Sequence, residues 1–306
     1  MFEIGHSNGS VKIPSPDSTF LDHWPTITSV CWLFLISFGL VVIVGGVLQN
    51  LMPGWGLILT EVLLILLPTL ISLWIGKYPI RQTLQLRWPH PSLVALGLLT
   101  GVALRTVAIW IANMTYEFLH ISLPGVADGK YTTLQTTALL VGLAILAPIC
   151  EELLFRGYIQ RAFSKHGTWF SIFIAGLFFV VFHQSLISIP ALLPLAFITG
   201  YIAWRSNSLI PAILLHMGYN GSLPLALVVD PSLEDAITSV KITIPSLVAT
   251  LVFLWLIWRI TNPVPIANSP VASSPRWVFI VTAITIIMLF SLTSGLEILV
   301  LTGKLP

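Results

Sequence analysis

Residues 134–158 read LQTTALLVGLAILAPICEELLFRGY, one apolar run that carries two adjacent acids, Glu151 and Glu152, and one cation, Arg156. A run of this length, rising about 1.5 Å per residue, is long enough to cross a hydrocarbon core roughly 30 Å thick. Eight further apolar stretches meet the same standard, at 29–49, 55–75, 92–114, 168–185, 187–204, 207–228, 243–260 and 277–299. The fold class is therefore all-α, a polytopic transmembrane bundle of about eight to nine helices. Trp and Tyr residues such as Trp55, Trp74, Tyr78, Trp88, Trp110, Trp204, Trp258 and Trp277 stand near the ends of these stretches, where amphipathic rings favour the headgroup layer.

Composition agrees. Of 306 residues 56% are apolar and 8% charged, against roughly a quarter charged in a soluble domain, and the mean hydropathy is +0.94. Lipid must cover apolar surface that one aqueous core cannot hide. A net charge of +2 without any basic run excludes a nucleic-acid surface. Cys31 and Cys150, the two cysteines, sit inside apolar runs and read as small buried residues.

Four regions follow: a cytoplasmic N-terminal segment at 1–28, N-terminal transmembrane helices over 29–133, a core at 134–228, and C-terminal helices over 229–306. Residues 261–276, with Pro263, Pro265, Pro270 and Pro275, form a linker that sets the last helix apart. Residues 1–28 contain no apolar stretch of signal-peptide length. Alternating spans put Lys77, Arg81, Arg87, Arg161, Lys165, Arg205, Arg259 and Arg276 on one side and Lys130, Lys241 and Lys304 on the other. Positive loops stay inside, so a multi-pass protein of the cell membrane with a cytoplasmic N-terminus is expected.

A charge at the centre of a membrane helix costs about 2.5–3.5 kcal/mol on insertion scales, so each needs a reason. Glu61 and Arg105 fall toward the outer ends of their spans, where pairing or snorkelling is expected. Glu297, near the end of the last helix, is expected to reach water. The core differs. Glu152 and Arg156 have the i, i+4 spacing of a helical ion pair, and Glu151, about 100° away, is left free of it. His183 follows Phe179 by one turn, and Asn220 follows His216 by one turn. From the inner helix ends, Glu151 is about 15 Å deep, His183 about 21 Å and His216 about 12 Å, close enough for tilt to bring them to one level. Buried His and Asn also serve as interhelical glue, but six costly groups at one depth exceed what packing requires.

Such a set suits hydrolysis. A desolvated Glu151 is a candidate base for water, His183 can orient that proton, and His216 and Asn220 can supply N–H donors for an oxyanion. The metal alternative is Zn²⁺ on Glu151, His183 and His216 with an open water position. Asn is a poor zinc ligand, which favours a metal-free role. There is no His-Glu-x-x-His run, no Gly-x-Ser-Gly nucleophile, and no Asp inside a span away from its ends.

Glu151-Glu152-x-x-x-Arg156, Phe179-x-x-x-His183 and His216-x-x-x-Asn220, in that order on separate apolar segments, resemble the CPBP family of CAAX proteases and bacteriocin-processing enzymes, also called the Abi or type II CAAX prenyl endopeptidase family. The resemblance implies a helical intramembrane endopeptidase acting on a membrane-associated protein or peptide, with its cavity open to the cytoplasmic side. It implies Glu151 as the water-activating residue, Glu152 and Arg156 as its supporting pair, His183 as partner in activation, and His216 with Asn220 as transition-state stabilisers. The family has been described both as metalloproteases and as glutamate proteases. Its members act on prenylated CAAX proteins or are tied to bacteriocin maturation and immunity. The competing readings of the same residues are a proton-coupled transporter with a Glu151–His183 relay and a non-catalytic immunity scaffold.

Overall fold

Thr26 opens the first helix with a reciprocal cap: its hydroxyl accepts from Ser29 N at 3.1 Å while Thr26 N donates to Ser29 Oγ at 3.0 Å. From there the computed structural model describes residues 24–121, 131–230, 237, 239–263 and 275–304. They form nine main helices: α1 (Ile27–Leu51), α2 (Trp55–Ile75), α3 (Pro91–Leu119), α4 (Thr133–His166), α5 (Thr168–Phe182), α6 (Ile189–Ser206), α7 (Ile210–Val229), α8 (Val240–Ile260) and α9 (Arg276–Leu301). No strand occurs among the described residues. The N-terminal segment up to residue 23, the loop cations and acids Lys130, Asp128, Glu234 and Asp235, and the proline-rich stretch at 264–274 lie outside the described residues.

Seven helices, α1 to α4 and α7 to α9, are long and apolar enough to cross a membrane. The eight or nine expected from the sequence exceed this by the hairpin α5–α6. Helix α5 has 15 residues, about 22 Å of rise. Helix α6 carries Pro190, Pro194 and Arg205. Both pack on α4 and on each other.

Helix α4 takes the centre, with α2, α5, α6 and α7 around it. Two rungs tie it to α6. Arg156 Nη2 donates to Ala196 O at 2.9 Å, and Gln160 Nε2, one turn later, donates to Gly200 O at 3.0 Å. Helix α3 crosses α7 at close range. A Cβ on Gly97 would lie 2.5 Å from Pro211 O, one on Gly101 1.8 Å from Leu215 O, and one on Gly218 2.4 Å from Leu98 O. Gly97 and Gly101 form a Gly-x-x-x-Gly face, the pattern that lets membrane helices approach backbone to backbone. This crossing fixes the height of α7, and therefore of His216.

Helix α9 is not set apart. It packs along α1, and the half-exposed Glu297 is engaged: its Oε1 accepts from the Ser185 hydroxyl and its Oε2 accepts from Leu186 N at 3.1 Å. The carboxylate of α9 thus ties the last helix to the loop that follows α5. Cys31 and Cys150 are both free and buried.

Candidate active site

Helix α4 is not a uniform α-helix around its acids. Its turns widen to i→i+5 hydrogen bonding over Gly142–Leu146 and again over Leu153–Ile159, leaving Glu151 and Glu152 on the regular segment Ala147–Glu152. Wide turns of this kind recur at functional sites. Pro148 accounts for one local consequence. Ala147 N–H bonds to Gly142 O, so the next carbonyl, Leu143 O, would look to residue 148, where proline has no N–H to give. Asn220 of α7 fills the gap, its Nδ2 donating to Leu143 O at 3.1 Å.

Glu152 is fully buried and doubly held. Its Oε1 accepts from Arg156 Nη1 at 2.8 Å, the pair foreseen from the i, i+4 spacing, and lies 2.9 Å from His216 Nδ1. A carboxylate only accepts, so Nδ1 carries the proton in this contact. His216 Nε2 then faces Glu151 Oε2 at 3.9 Å, beyond hydrogen-bond range. The Phe179 ring touches both histidines, its centroid 4.6 Å from the His183 ring and 5.6 Å from that of His216. The Arg156 guanidinium lies over the same ring, 4.4 Å from its centroid. Such a desolvated cation–π contact adds on the order of 2 kcal/mol.

His183 caps the C-terminus of α5, one residue beyond Phe182, where the chain turns through Gln184 at φ 57°. Its Nδ1 lies 2.9 Å from Phe179 O. That oxygen accepts, so Nδ1 is the protonated nitrogen and Nε2 is the free acceptor of the neutral ring. A cavity of about 350 Å³, bounded by α1, α2, α4 and the end of α5, has both Glu151 and His183 in its wall. The structure thus places Arg156, His183 and His216 around one ring, with Glu152 bound to Arg156 and His216, and with Glu151 and His183 lining one cavity. Asn220 stands off, one turn beyond His216, on the Leu143 carbonyl.

Glu61 is the residue the sequence misplaces. It is buried, sits in a wide turn over Thr60–Leu66, and lines the same cavity as Glu151. Arg105, its expected partner, instead lies over the Tyr219 ring of α7 at 5.2 Å. Counting rise puts Glu61 about 9 Å from the Trp55 end of α2. The sequence carries no signal for the wide turn or for the seating of Gly54 on Gln135 O, which together set the residue's level.

The zinc set does not fit this geometry. Among the described residues no group of three His, Cys, Asp or Glu side chains gathers closely enough to hold a metal ion.

Residues 133–222, which run from the start of α4 to the Asn220 turn of α7, match the family model described as type II CAAX prenyl endopeptidase Rce1-like. Over these residues the chain is similar to that family. The match covers less than a third of the chain and includes all seven motif residues. No curated protein and no solved structure matches the chain. The Rce1-like core supports, in general terms, a CAAX-type intramembrane endopeptidase, a peptide hydrolase, inside a multi-pass helical membrane protein.

Proposed function

We propose that the protein hydrolyses a peptide bond of a membrane-associated protein or peptide with water activated by Glu151 and His183 and without a metal. The observation that carries this reading is that Glu151 and His183 share the wall of one cavity while their neighbour Glu152 is tied to Arg156 and His216. Glu151 accepts the proton of water as its oxygen attacks the scissile carbonyl. His183 Nε2 accepts a hydrogen bond from the same water and orients it. In the form that carries protons on both nitrogens, His216 presents Nε2 as a donor to the developing oxyanion, and Glu152 holds the ring by Nδ1. The proton taken by Glu151 passes to the leaving amine as the C–N bond breaks, which leaves a carboxylic acid and an amine. Positioned acid–base groups contribute about 10² to 10⁴ in rate and an oxyanion donor about 10² to 10³.

Asn220 has a second, supporting function in this reading, since its observed hydrogen bond repairs the α4 backbone at Leu143. The loop cations favour a cytoplasmic N-terminus and a cell-membrane location, with the core's Arg161 and Lys165 on the cytoplasmic face.

The test is a comparison of protein termini in membranes of cells carrying wild type or Glu151→Gln at matched abundance. New termini present only with wild type are expected, and loss of C-terminal tripeptides identifies CAAX-type processing. Identical termini with both proteins folded would remove the endopeptidase reading in favour of a scaffold or a proton-coupled transporter.

A further inference from the structure

The mechanism above leaves one group in the cavity without work. Glu61 belongs to none of the three motifs, is only 4% exposed, and its Oε2 has no hydrogen-bond partner among the described residues. It nevertheless faces the same 350 Å³ of space as Glu151, with Gln49 and Gln184 as further polar wall groups and no Lys or Arg in that wall. The buried Arg156 is committed to Glu152 and Ala196 O, and Arg105, the partner expected for Glu61, lies over the Tyr219 ring.

A buried carboxylate in a membrane helix is costly and persists where it pairs with something. Two carboxylates in one low-dielectric cavity repel each other, so the cavity as built attracts a positive charge. Its volume lies in the range of ligand pockets, roughly 300–1,000 Å³. The chemistry at Glu151 brings a peptide into this space, and among peptide groups the cationic ones are the Lys and Arg side chains and a free amino terminus. Peptide side chains next to the cleaved bond enter without requiring a chain end.

We propose that Glu61, with Gln49 and Gln184, forms a specificity subsite for a lysine or arginine side chain lying within two residues of the cleaved bond. The subsite rests on the endopeptidase reading and adds to it a substrate class, peptides basic at the cleavage point. Gln49 and Gln184 offer side-chain carbonyls to the remaining N–H groups of the cation, and Glu61 supplies the charge. A hydrogen-bonding site of this kind rejects an uncharged isostere more strongly than an apolar pocket rejects a missing methylene.

The test uses the full chain in liposomes and membrane-anchored peptides that differ only in Lys, Arg, Gln or Glu at the two residues on either side of the cleaved bond. The sequence around that bond comes from the terminus comparison above. The quantity read is the ratio of kcat/KM for basic over Gln peptides, from which any general loss of activity cancels. Wild type is expected to favour Lys or Arg at one position by at least about tenfold. Glu61→Gln is expected to bring that ratio near one, and Glu61→Asp, which keeps the charge, to retain most of it. Equal cleavage of basic and neutral peptides by wild type, or an unchanged ratio in Glu61→Gln, overturns the subsite and leaves the endopeptidase intact. Cleavage of none of the peptides by wild type overturns both readings.

Discussion

His216 Nδ1 lies 2.9 Å from Glu152 Oε1, on the same oxygen that accepts from Arg156. One buried oxygen therefore holds both the histidine of α7 and the cation of α4, and the three groups stand or fall together. Removing one partner of a buried pair leaves an uncompensated charge, at a cost of about 3–5 kcal/mol, whereas replacing both by apolar groups is often close to neutral. Arg156→Leu is expected to lower unfolding stability in detergent by that amount. Glu152→Leu combined with Arg156→Leu should recover much of the stability yet stay inactive, because His216 loses its anchor. A double variant no more stable than the single one would deny that charge imbalance is the cause.

The hydrogen bond from Asn220 to Leu143 O has its own arithmetic. Leu143 O lacks a helical donor because Pro148 has no N–H, so Asn220→Ala leaves a buried carbonyl unsatisfied, worth about 1–3 kcal/mol. Pro148→Ala supplies an N–H at that place. Adding it to Asn220→Ala should return part of the lost stability, a coupling read by a double-mutant cycle. Strict additivity of the two changes would show that Pro148 does not create the need Asn220 meets.

Much of this site is readable in the chain because its signals are local. The i, i+4 spacing gives the Glu152–Arg156 pair, and one-turn spacings put His183 beside Phe179 and His216 on the face of Asn220. The nine apolar runs return as nine helices, two of them shorter or less apolar than the rest. What the chain conceals is relational. Glu152 and His216 meet across α4 and α7, and the height of α7 depends on a third helix, α3, through glycines 97, 101 and 218. Glu61 and Glu297 were assigned by depth along their own helices, which says nothing about the loop or cavity each one faces. Wide turns in α2 and α4 rotate side chains by amounts that a uniform helical count misses.

The α3–α7 crossing yields a steric prediction. A methyl on Gly101 would sit 1.8 Å from Leu215 O, the residue before His216, whereas one on Gly39 meets nothing within 4 Å. Gly101→Ala must push α7 away from α3, and a displacement on the order of 1 Å at a catalytic group costs about 100-fold in rate. Gly39→Ala should change neither activity nor folding. The comparison is read by cleavage rate and thermal unfolding of the two variants side by side. Equal behaviour would mean that α7 is not held by this contact.

Glu297 reaches from the last helix to the loop that follows His183, accepting from the Ser185 hydroxyl and from Leu186 N–H. His183 caps α5 and Gln184 turns back at φ 57°; Ser185 and Ser188 brace the loop internally, and the Glu297 carboxylate is its tie to α9. Glu297→Ala takes the acceptor from Leu186 N–H, while the Ser185 hydroxyl keeps Ser188 Oγ at 2.8 Å, so the loss is at most about 1–3 kcal/mol. The loop is expected to loosen and His183 to lose its fixed angle toward the cavity. The resulting loss should fall on kcat, by about tenfold or more, since orienting groups act on the reacting geometry, while KM for a peptide held elsewhere in the cavity changes little. Glu297→Gln keeps one acceptor and should fall between wild type and Glu297→Ala. Hydrogen exchange at residues 183–188 supplies the independent readout: faster exchange in Glu297→Ala, with the α4 amides unchanged, is the expected pattern. Unaltered exchange in the loop together with unaltered kcat would show that α9 does not hold it.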